Sequence, residues 1–444
     1  MRAITQIIKS KSFSSLLGNG IGALLGLVTF AFLARFLDKS TFGAWIVFLA
    51  VYGIFDTLRI GMVLNALVKN LAQAINPSEQ DQVIGSSLVI TSIITGLYLV
   101  VNLIGYIICV SFDLLSEYHS FFKWFVLISL LTLPHNFSTW LLNAKLEIIS
   151  MSIIRILNQI VFIGYIWFFI KGNPGINQVF LGYAISNLVP SLLCIFLGWA
   201  GIHKIFSYSK EMMSKIFHFG KYSMGTLIGS NLLRSSDTFI ISTMLGSGGV
   251  ATYNVPARMI EIIEMPLRSF AVTALPQYAK MFAEGATTEL KAIFERRTGL
   301  VFYLLLPISV LSFLFADWVV LILGGNNYAD SAVLLRFFAT YMAILPLDKF
   351  SGVLLDTINK PEINFIKVMI MLVVNISADY LGIYLFGNLE SVAFASTLTF
   401  LSGMLFGYYQ LNKHLGLNFK NILVFGWDEF LNWSFKVLKI NGNK

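Results

Sequence analysis

Residues 43–68 read GAWIVFLAVYGIFDTLRIGMVLNALV, twenty-six positions with only Asp56 and Arg59 charged. A helix crosses a hydrocarbon core of roughly 30 Å with about 20 apolar residues, so this stretch predicts a transmembrane helix. Its two charges and Tyr52 recur at helical spacing and share one stripe. That stripe faces something other than lipid, because an ionisable group in hydrocarbon is costly.

The same ruler, moved along the chain, gives further spans at 13–36, 83–110, 121–143, 148–170, 178–201, 223–245, 251–278, 298–323, 331–357, 365–386 and 392–412. The expected fold is therefore all-α: a polytopic membrane protein of about twelve helices. Composition agrees. The chain is 57% hydrophobic and only 12% charged, with a mean hydropathy of +0.76. A soluble domain carries about twice that share of charge. The breaks between spans, among them LDKST, INPSEQDQ, FDLLSEYHS, KGNPGIN and LGGNNYAD, hold the polar and turn-forming residues.

Lys and Arg set the orientation. With the N-terminus inside, Lys69, Lys145, Lys204, Lys210, Lys215, Lys280, Lys291, Lys360 and Lys367 fall on the inner side with both termini. Arg35, Lys39, Lys123 and Lys171 are the outer set. The basic residues then meet anionic lipid headgroups, and the net charge of +8 needs no nucleic acid. The basic start, MRAITQIIKSKSF, reads as a cytoplasmic flank, since no cleavage-site pattern follows it. Cys109 and Cys194 sit in apolar runs and form no metal or disulfide pattern. The segment NILVFGWDEFLNWSFKVLKI after the last span reads as an interfacial amphipathic helix. Gly18, Gly22 and Gly26 have the small-xxx-small spacing of close helix packing.

The chain also divides in two. LDKSTFGAW, Leu37 to Trp45, and LGSGGVATY, Leu245 to Tyr253, share a pattern at an offset near 208, about half the length. At that offset Asp56 falls on Glu264 and Arg59 one residue from Arg268. Six spans per half makes parallel repeats. The expected organisation is a first lobe at 1–201, a cytoplasmic linker at 202–222, a second lobe at 223–412 and a tail at 413–444.

Charges cluster in the spans. Span seven holds Arg234 and Asp237, and span eight holds Arg258, Glu261, Glu264 and Arg268 on about a third of its circumference. Span ten holds Arg336, and further in Asp348 and Lys349. Span eleven holds Asn375 and Asp379. Some of these acids pair with a basic residue one turn away, but a lipid-facing helix would not carry four such groups. Pro266, mid-way along span eight, removes a backbone hydrogen bond and is the expected hinge. Asn375 and Asp379 offer hard oxygens four residues apart, with no basic residue within a turn of Asp379. A sodium ion or a proton would supply the missing charge. No nucleotide-binding, zinc-protease or nucleophile-elbow motif occurs, and the short loops leave no room for a soluble catalytic domain. A carrier is expected, not an enzyme. The main enzyme alternative is a membrane-embedded glycan polymerase or transferase.

Residues 33–72, LARFLDKSTFGAWIVFLAVYGIFDTLRIGMVLNALVKNLA, resemble the opening helix pair of Wzx-type oligosaccharide flippases. Residues 219–280, from FGKYSMGTLIG to LPQYAK, resemble the start of that family's second half. The superfamily also holds the lipid II flippases and the multidrug and toxin extrusion (MATE/MOP) carriers. The resemblance implies two six-helix lobes around a central cavity and alternating access. It also implies a polyprenyl-diphosphate-linked oligosaccharide as cargo, moved outward in a bacterial cytoplasmic membrane for cell-surface polysaccharide such as O-antigen. Polymerase and glycosyltransferases would be its partners, the chain would act as a monomer, and it would use no cofactor beyond a coupling ion.

A diphosphate needs cations, and Arg binds two phosphate oxygens at once. Arg59, Arg234, Arg258 and, more weakly, Arg336 are expected to line the cavity, with Asp56, Glu261, Glu264 and Arg268 beside them. By resemblance to the sodium-coupled lipid II branch, Asp237, Asn375, Asp379 and Thr397 would hold the cation, with Ser396 or Thr399 able to replace Thr397. The runner-up is a cation-coupled multidrug exporter.

Overall fold

The computed structural model describes residues 11–112, 119–169 and 174–441. The basic flank at 1–10, most of the FDLLSEYHS turn, the start of KGNPGIN and the last three residues lie outside the described residues, as do the side chains of Lys436 and Lys439. The described residues are helical, with no strand among them.

Two compact units divide between Asn231 and Leu232. In the first, α1 spans Lys11–Phe36, α2 Lys39–Gln73, α3 Pro77–Ser111, α4 His119–Ala144, α5 Ile148–Phe169 and α6 Ile176–Phe196. A short 3₁₀ helix, Ile202–Ser207, leads into α7, Lys210–Met244, in which the division falls. The segment 202–222, expected as a linker, is thus largely helical and belongs to the first unit. The remaining helices are α8 Gly246–Ala283, α9 Thr287–Leu314, α10 Ala316–Gly324, α11 Ala332–Met342, α12 Leu345–Thr357, α13 Pro361–Phe386, α14 Leu389–Leu415 and α15 Phe419–Asn441.

The starts of these helices are written in the sequence. Asp38 caps α2 by accepting from Thr41 N at 3.0 Å. Asn76 caps α3 by accepting from Glu79 N, while Glu79 reaches back to Ile75 N at 2.9 Å. That reciprocal pair satisfies two donors that a helix start leaves open, and Pro77 costs nothing there.

Among the described residues, eight helices are long and apolar enough to cross a membrane, or nine with α11 and α12 taken as one bent span. α7 and α8 are not among them, and they carry the intramembrane charges of interest, Arg234, Asp237, Arg258, Glu261, Glu264 and Arg268. In the first unit α2 lies inside, with Trp45 and Phe48 packed among aromatic neighbours; Phe48 meets Phe180 of α6 at 4.6 Å. α3 instead presents Val100, Val101, Leu103, Ile104, Ile107 and Ile108 outward, as a lipid-facing helix does. Of the expected small-residue contacts on α1, a Cβ at Gly18 would run into Ser152 of α5, whereas one at Gly22 would meet nothing within 4 Å.

Two features depart from the sequence reading, and a third adds a contact to the expected C-terminal helix. Span ten is not one helix: α11 and α12 meet at residues 343–344 at 44°. Pro346, at the start of α12, is the cause, since it cannot donate into the preceding turn. Lys367, read as an inner-loop cation, is 3% exposed inside the second unit. The C-terminal helix packs on α9, where Gly299 faces Gly426 so closely that a Cβ on Gly426 would meet the Gly299 carbonyl carbon at 2.6 Å. Phe425, Trp427, Trp433 and Phe435 of that helix stay exposed.

Candidate functional site

In the first unit, Arg59 is 1% exposed. Its Nε and Nη2 donate to Asp56 Oδ1 at 3.1 and 2.5 Å. Nη2 also donates to Tyr52 Oη at 3.1 Å, and Nη1 reaches Thr95 Oγ1 and the Ser129 carbonyl at 3.4 Å. A guanidinium has five N–H groups, and five hydrogen bonds use them. Tyr52 in turn shares 2.6 Å with Thr132. The stripe of Tyr52, Asp56 and Arg59 exists as the spacing predicted, but Arg59 lies in the unit's interior with its donors engaged. Only Asp56 keeps a partly exposed face, at 20%.

The first unit also has a cleft of about 940 Å³, lined by Lys69, Gln73, Glu79, Glu211 and Lys215 among others. Its two lysines are balanced by its two glutamates. Lys215 is paired with Glu211 at 2.7 Å, and that hydrogen bond holds the fully exposed Glu211 carboxyl below its usual range. The cleft has no net charge with which to select a diphosphate.

In the second unit, Glu261 of α8 takes two guanidiniums. Arg234 of α7 is 3.1 Å from Oε1, and Arg258, one turn earlier on α8, donates to Oε2. One carboxylate between two cations leaves a net positive charge. The side chain of Arg234 is half exposed, and those of Arg258 and Glu261 about a quarter and a third. One turn on, Arg268 pairs with Glu264 at 2.6 Å. Arg336 is held by Asp317 at the start of α10, also at 2.6 Å. Sequence reasoning did not single out Asp317.

The same unit buries an acidic pocket. Asp237 Oδ2 accepts from the Tyr253 hydroxyl at 2.5 Å, and that hydroxyl lies 3.0 Å from Ser396 Oγ. Asn375 Oδ1 accepts from Ser236 at 2.5 Å. Asp379 is 0% exposed, and among the described residues neither of its oxygens has a hydrogen-bond donor apart from the neighbouring Asp237 carboxyl. The Asp237 and Asp379 carboxyls interact directly, and Asn375 reaches Asp237. Two facing carboxylates in hydrocarbon are not held as a pair of anions. A cation or a proton between them removes the conflict.

Asp237, Asn375 and Asp379, chosen from three sequence positions, are thus brought together. Thr397 is not with them: it is bonded to Thr340 at 3.1 Å on an exposed face, and Thr399 bonds its own helix at Ala395 O. Ser396 is the hydroxyl of α14 that enters the pocket. Tyr253 and Ser236 were missed. Tyr253 ends the repeated turn LGSGGVATY, and its pairing with an acid sixteen residues earlier crosses a helix boundary that periodicity does not read. α8 remains helical through Pro256, Pro266 and Pro276, and Pro266 is exposed.

A profile of the family described as polysaccharide biosynthesis protein matches residues 8–282. A relative in Haloferax volcanii, named a probable low-salt glycan biosynthesis flippase, Agl15, is 22% identical over 425 residues, covering 94% of this chain and 86% of its own. Among solved structures, the fold is similar to an inward-facing multidrug resistance MATE family transporter of the MOP superfamily. Its TM-score is 0.74 at 14% identity, over 90% of this chain and 98% of that one. It is also similar to the lipid II flippase MurJ in an inward closed conformation, with a TM-score of 0.69 at 13% identity, over 96% and 92% of the two chains.

Proposed function

The chain belongs to the polysaccharide biosynthesis protein family, and from that premise we propose that it is a flippase. Its cargo is a polyprenyl-diphosphate-linked oligosaccharide, moved from the inner to the outer leaflet of a bacterial cytoplasmic membrane by alternating access. Twelve crossings with both termini cytoplasmic, and a monomeric chain, complete the reading. It is a transporter and performs no bond chemistry.

The observation that carries this reading is the doubly bridged Glu261. Arg234 and Arg258 converge on one carboxylate with a net positive charge and partial exposure. A diphosphate competes with Glu261 for both forks, and charge-assisted bidentate bonds to phosphate are strong. Arg268, paired with Glu264 within its own helix, extends the face by a turn. Arg59 is left out of the headgroup site, because its donors are already used. The energy source is proposed to be a sodium ion or proton at Asp237 and Asp379, with Asn375, Ser396 and Tyr253 around it.

Deleting the gene tests the reading. Lipid-linked oligosaccharide should accumulate in the inner leaflet, and the wild-type chain, but not R234A/R258A, should clear it. A deletion strain with normal surface glycan and raised sensitivity to organic cations would reassign the chain to drug export.

A further inference from the structure

The break between α11 and α12 has a different anchor on each side. Before the break stand Phe338 and Tyr341, both buried, with their rings 6.0 Å apart. Tyr253 of α8 meets Phe338 edge-on at 5.2 Å, and Tyr341 stacks on Phe400 of α14 at 4.8 Å. Tyr253 is also the donor to Asp237. A continuous aromatic contact therefore runs from the acidic pocket to within two residues of the break.

After the break stands Asp348, in the first turn of α12. Lys367 of α13 donates to its carboxylate at 2.8 Å, to its carbonyl at 2.9 Å and to Ser351 Oγ at 3.3 Å. The glycines around this pair leave it its space. A Cβ at Gly403 would come within 2.6 Å of Asp348 Oδ1, and one at Gly407 within 2.5 Å of Ser351 Oγ. A buried ion pair is a poor way to gain stability, and within a membrane protein it marks a functional position. Lys367 also shares a face with Asp379: the buried residues of α13 are Lys367, Met371, Asn375, Asp379 and Ile383, one every four. Twelve residues put Lys367 about 18 Å along the helix from Asp379.

We propose that Tyr253 and the Lys367–Asp348 pair are positioning residues for ion coupling, acting on the break at 343–344 from opposite sides. The inference rests on the reading of Asp237 and Asp379 as the coupling-ion site. A cation or proton that neutralises Asp237 weakens its hold on the Tyr253 hydroxyl. The Tyr253 ring then shifts against Phe338, and α11 swings at the break. α12 does not follow, because Lys367 ties it to α13. Among the described residues, the other ionisable groups facing this assembly are Asp379 from α13 and Tyr341 from α11, with Glu264 of α8 facing Tyr341, Tyr408 of α14 facing Asp348 and Asp356 of α12 facing Lys367. α14 contributes the Ser396 hydroxyl.

The test uses the full chain in lipid nanodiscs, with Cys109 and Cys194 replaced and spin labels at the exposed positions Val333 and Val373. The label distance is titrated with sodium chloride at fixed pH, and with pH in the absence of sodium. Transport is measured under the same gradients. The wild type should show a cation-dependent change in distance. Y253F keeps the ring and loses the hydroxyl, so it should move the midpoint by roughly tenfold, the value of a hydrogen bond to a charged group. K367M should shrink the amplitude and leave the midpoint in place, and K367R should restore the amplitude in part. Should K367M fail to accumulate, the swapped pair K367D/D348K replaces it and should recover the amplitude. Y253F and K367M both titrating as wild type overturns the proposal. So does a wild-type distance that ignores both cations while transport remains cation-driven. Transport indifferent to both cations removes the coupling reading itself, and this inference with it.

Discussion

Arg59 in the first unit and Asp379 in the second are both almost wholly buried in helices rich in apolar residues, yet their surroundings are opposite. Arg59 has a partner for each of its five N–H groups. Among the described residues, Asp379 has no donor for either oxygen beyond the equally acidic Asp237 carboxyl. A satisfied buried charge rigidifies what surrounds it, while an unsatisfied one keeps a standing demand for a counter-charge. Both look alike as letters in an apolar run. The difference separates a group that holds a unit together from one that is ready for a ligand.

Replacing Arg59 should therefore have the largest effect on folding. Removing one partner of a buried pair costs about 3–5 kcal/mol, because the other charge stays behind. Arg59→Ala should lower the amount of protein in the membrane and its melting temperature in detergent. Arg59→Lys should recover little, since an ammonium has three donors where the guanidinium has five. A well-folded, full-abundance Arg59→Ala protein that no longer transports would break the comparison and return Arg59 to the cargo site.

Asp379→Asn should do the reverse. Removing a buried carboxyl without a donor should leave the melting temperature unchanged or raise it. Transport and its ion dependence should disappear together. Asp237→Asn should weaken both to a lesser degree, because Asp237 keeps the Tyr253 bond on its other side. A loss of stability in Asp379→Asn as large as that of Arg59→Ala would make the two sites equivalent and remove the ion pocket.

Much of this was legible as sequence. The spans follow from hydropathy because a lipid solvent imposes one length and one composition. The convergence of Asp237, Asn375 and Asp379 followed from a family resemblance, and the i, i+4 spacing of the last two put them on one face. Exposure was not legible. The spacing that aligned Tyr52, Asp56 and Arg59 gives a stripe but not whether it faces a cavity or the interior, and Thr95 and Ser129 come from other helices. Thr397 and Ser396 are adjacent letters about 100° apart around α14, one meeting Thr340 and the other Tyr253, a distinction finer than span boundaries set by hydropathy. The break at 343–344 had a visible cause in Pro346, but an apolar run reads through it. Lys367 was misplaced because positive-inside counting treats a lysine near a span end as solvated.

Arg234 and Arg258 lie between the two extremes, paired and yet partly exposed, and their replacement sharpens the comparison at an intermediate level. Ion pairs open to solvent contribute about 0–1 kcal/mol, so Arg234→Ala and Arg258→Ala should leave the melting temperature within a degree or two of wild type. Export should fall strongly in each, and further in the double variant. Lys at either position should rescue in part, as a point charge without the planar fork. The readout is lipid-linked oligosaccharide held in the inner leaflet at matched protein level. Full export by R234A/R258A would leave the doubly bridged Glu261 as a helix-to-helix brace.

The smallest expected effect is at Pro266. A proline inside a helix removes one backbone hydrogen bond and leaves a soft point. α8 nevertheless stays helical there, and the Glu264–Arg268 pair spans the proline on both sides at 2.6 Å. That i, i+4 pair braces the turn in which the hydrogen bond is missing, so bending at Pro266 has to open or strain it. Pro266→Ala restores the donor and should give a protein that folds as well as wild type, or slightly better, since Ala is the stronger helix former. If α8 bends during the transport cycle, the stiffened helix should slow export a few-fold with no change in the cation midpoint, because the acidic pocket lies on other residues. R268A in the Pro266 background removes the brace and should loosen the same point, raising hydrogen exchange along residues 262–268 without loss of fold. Wild-type export by Pro266→Ala, together with unchanged exchange in R268A, would assign the proline to packing. The moving part of the second unit would then be the break at 343–344, where Pro346 ends a helix that α8's three prolines do not.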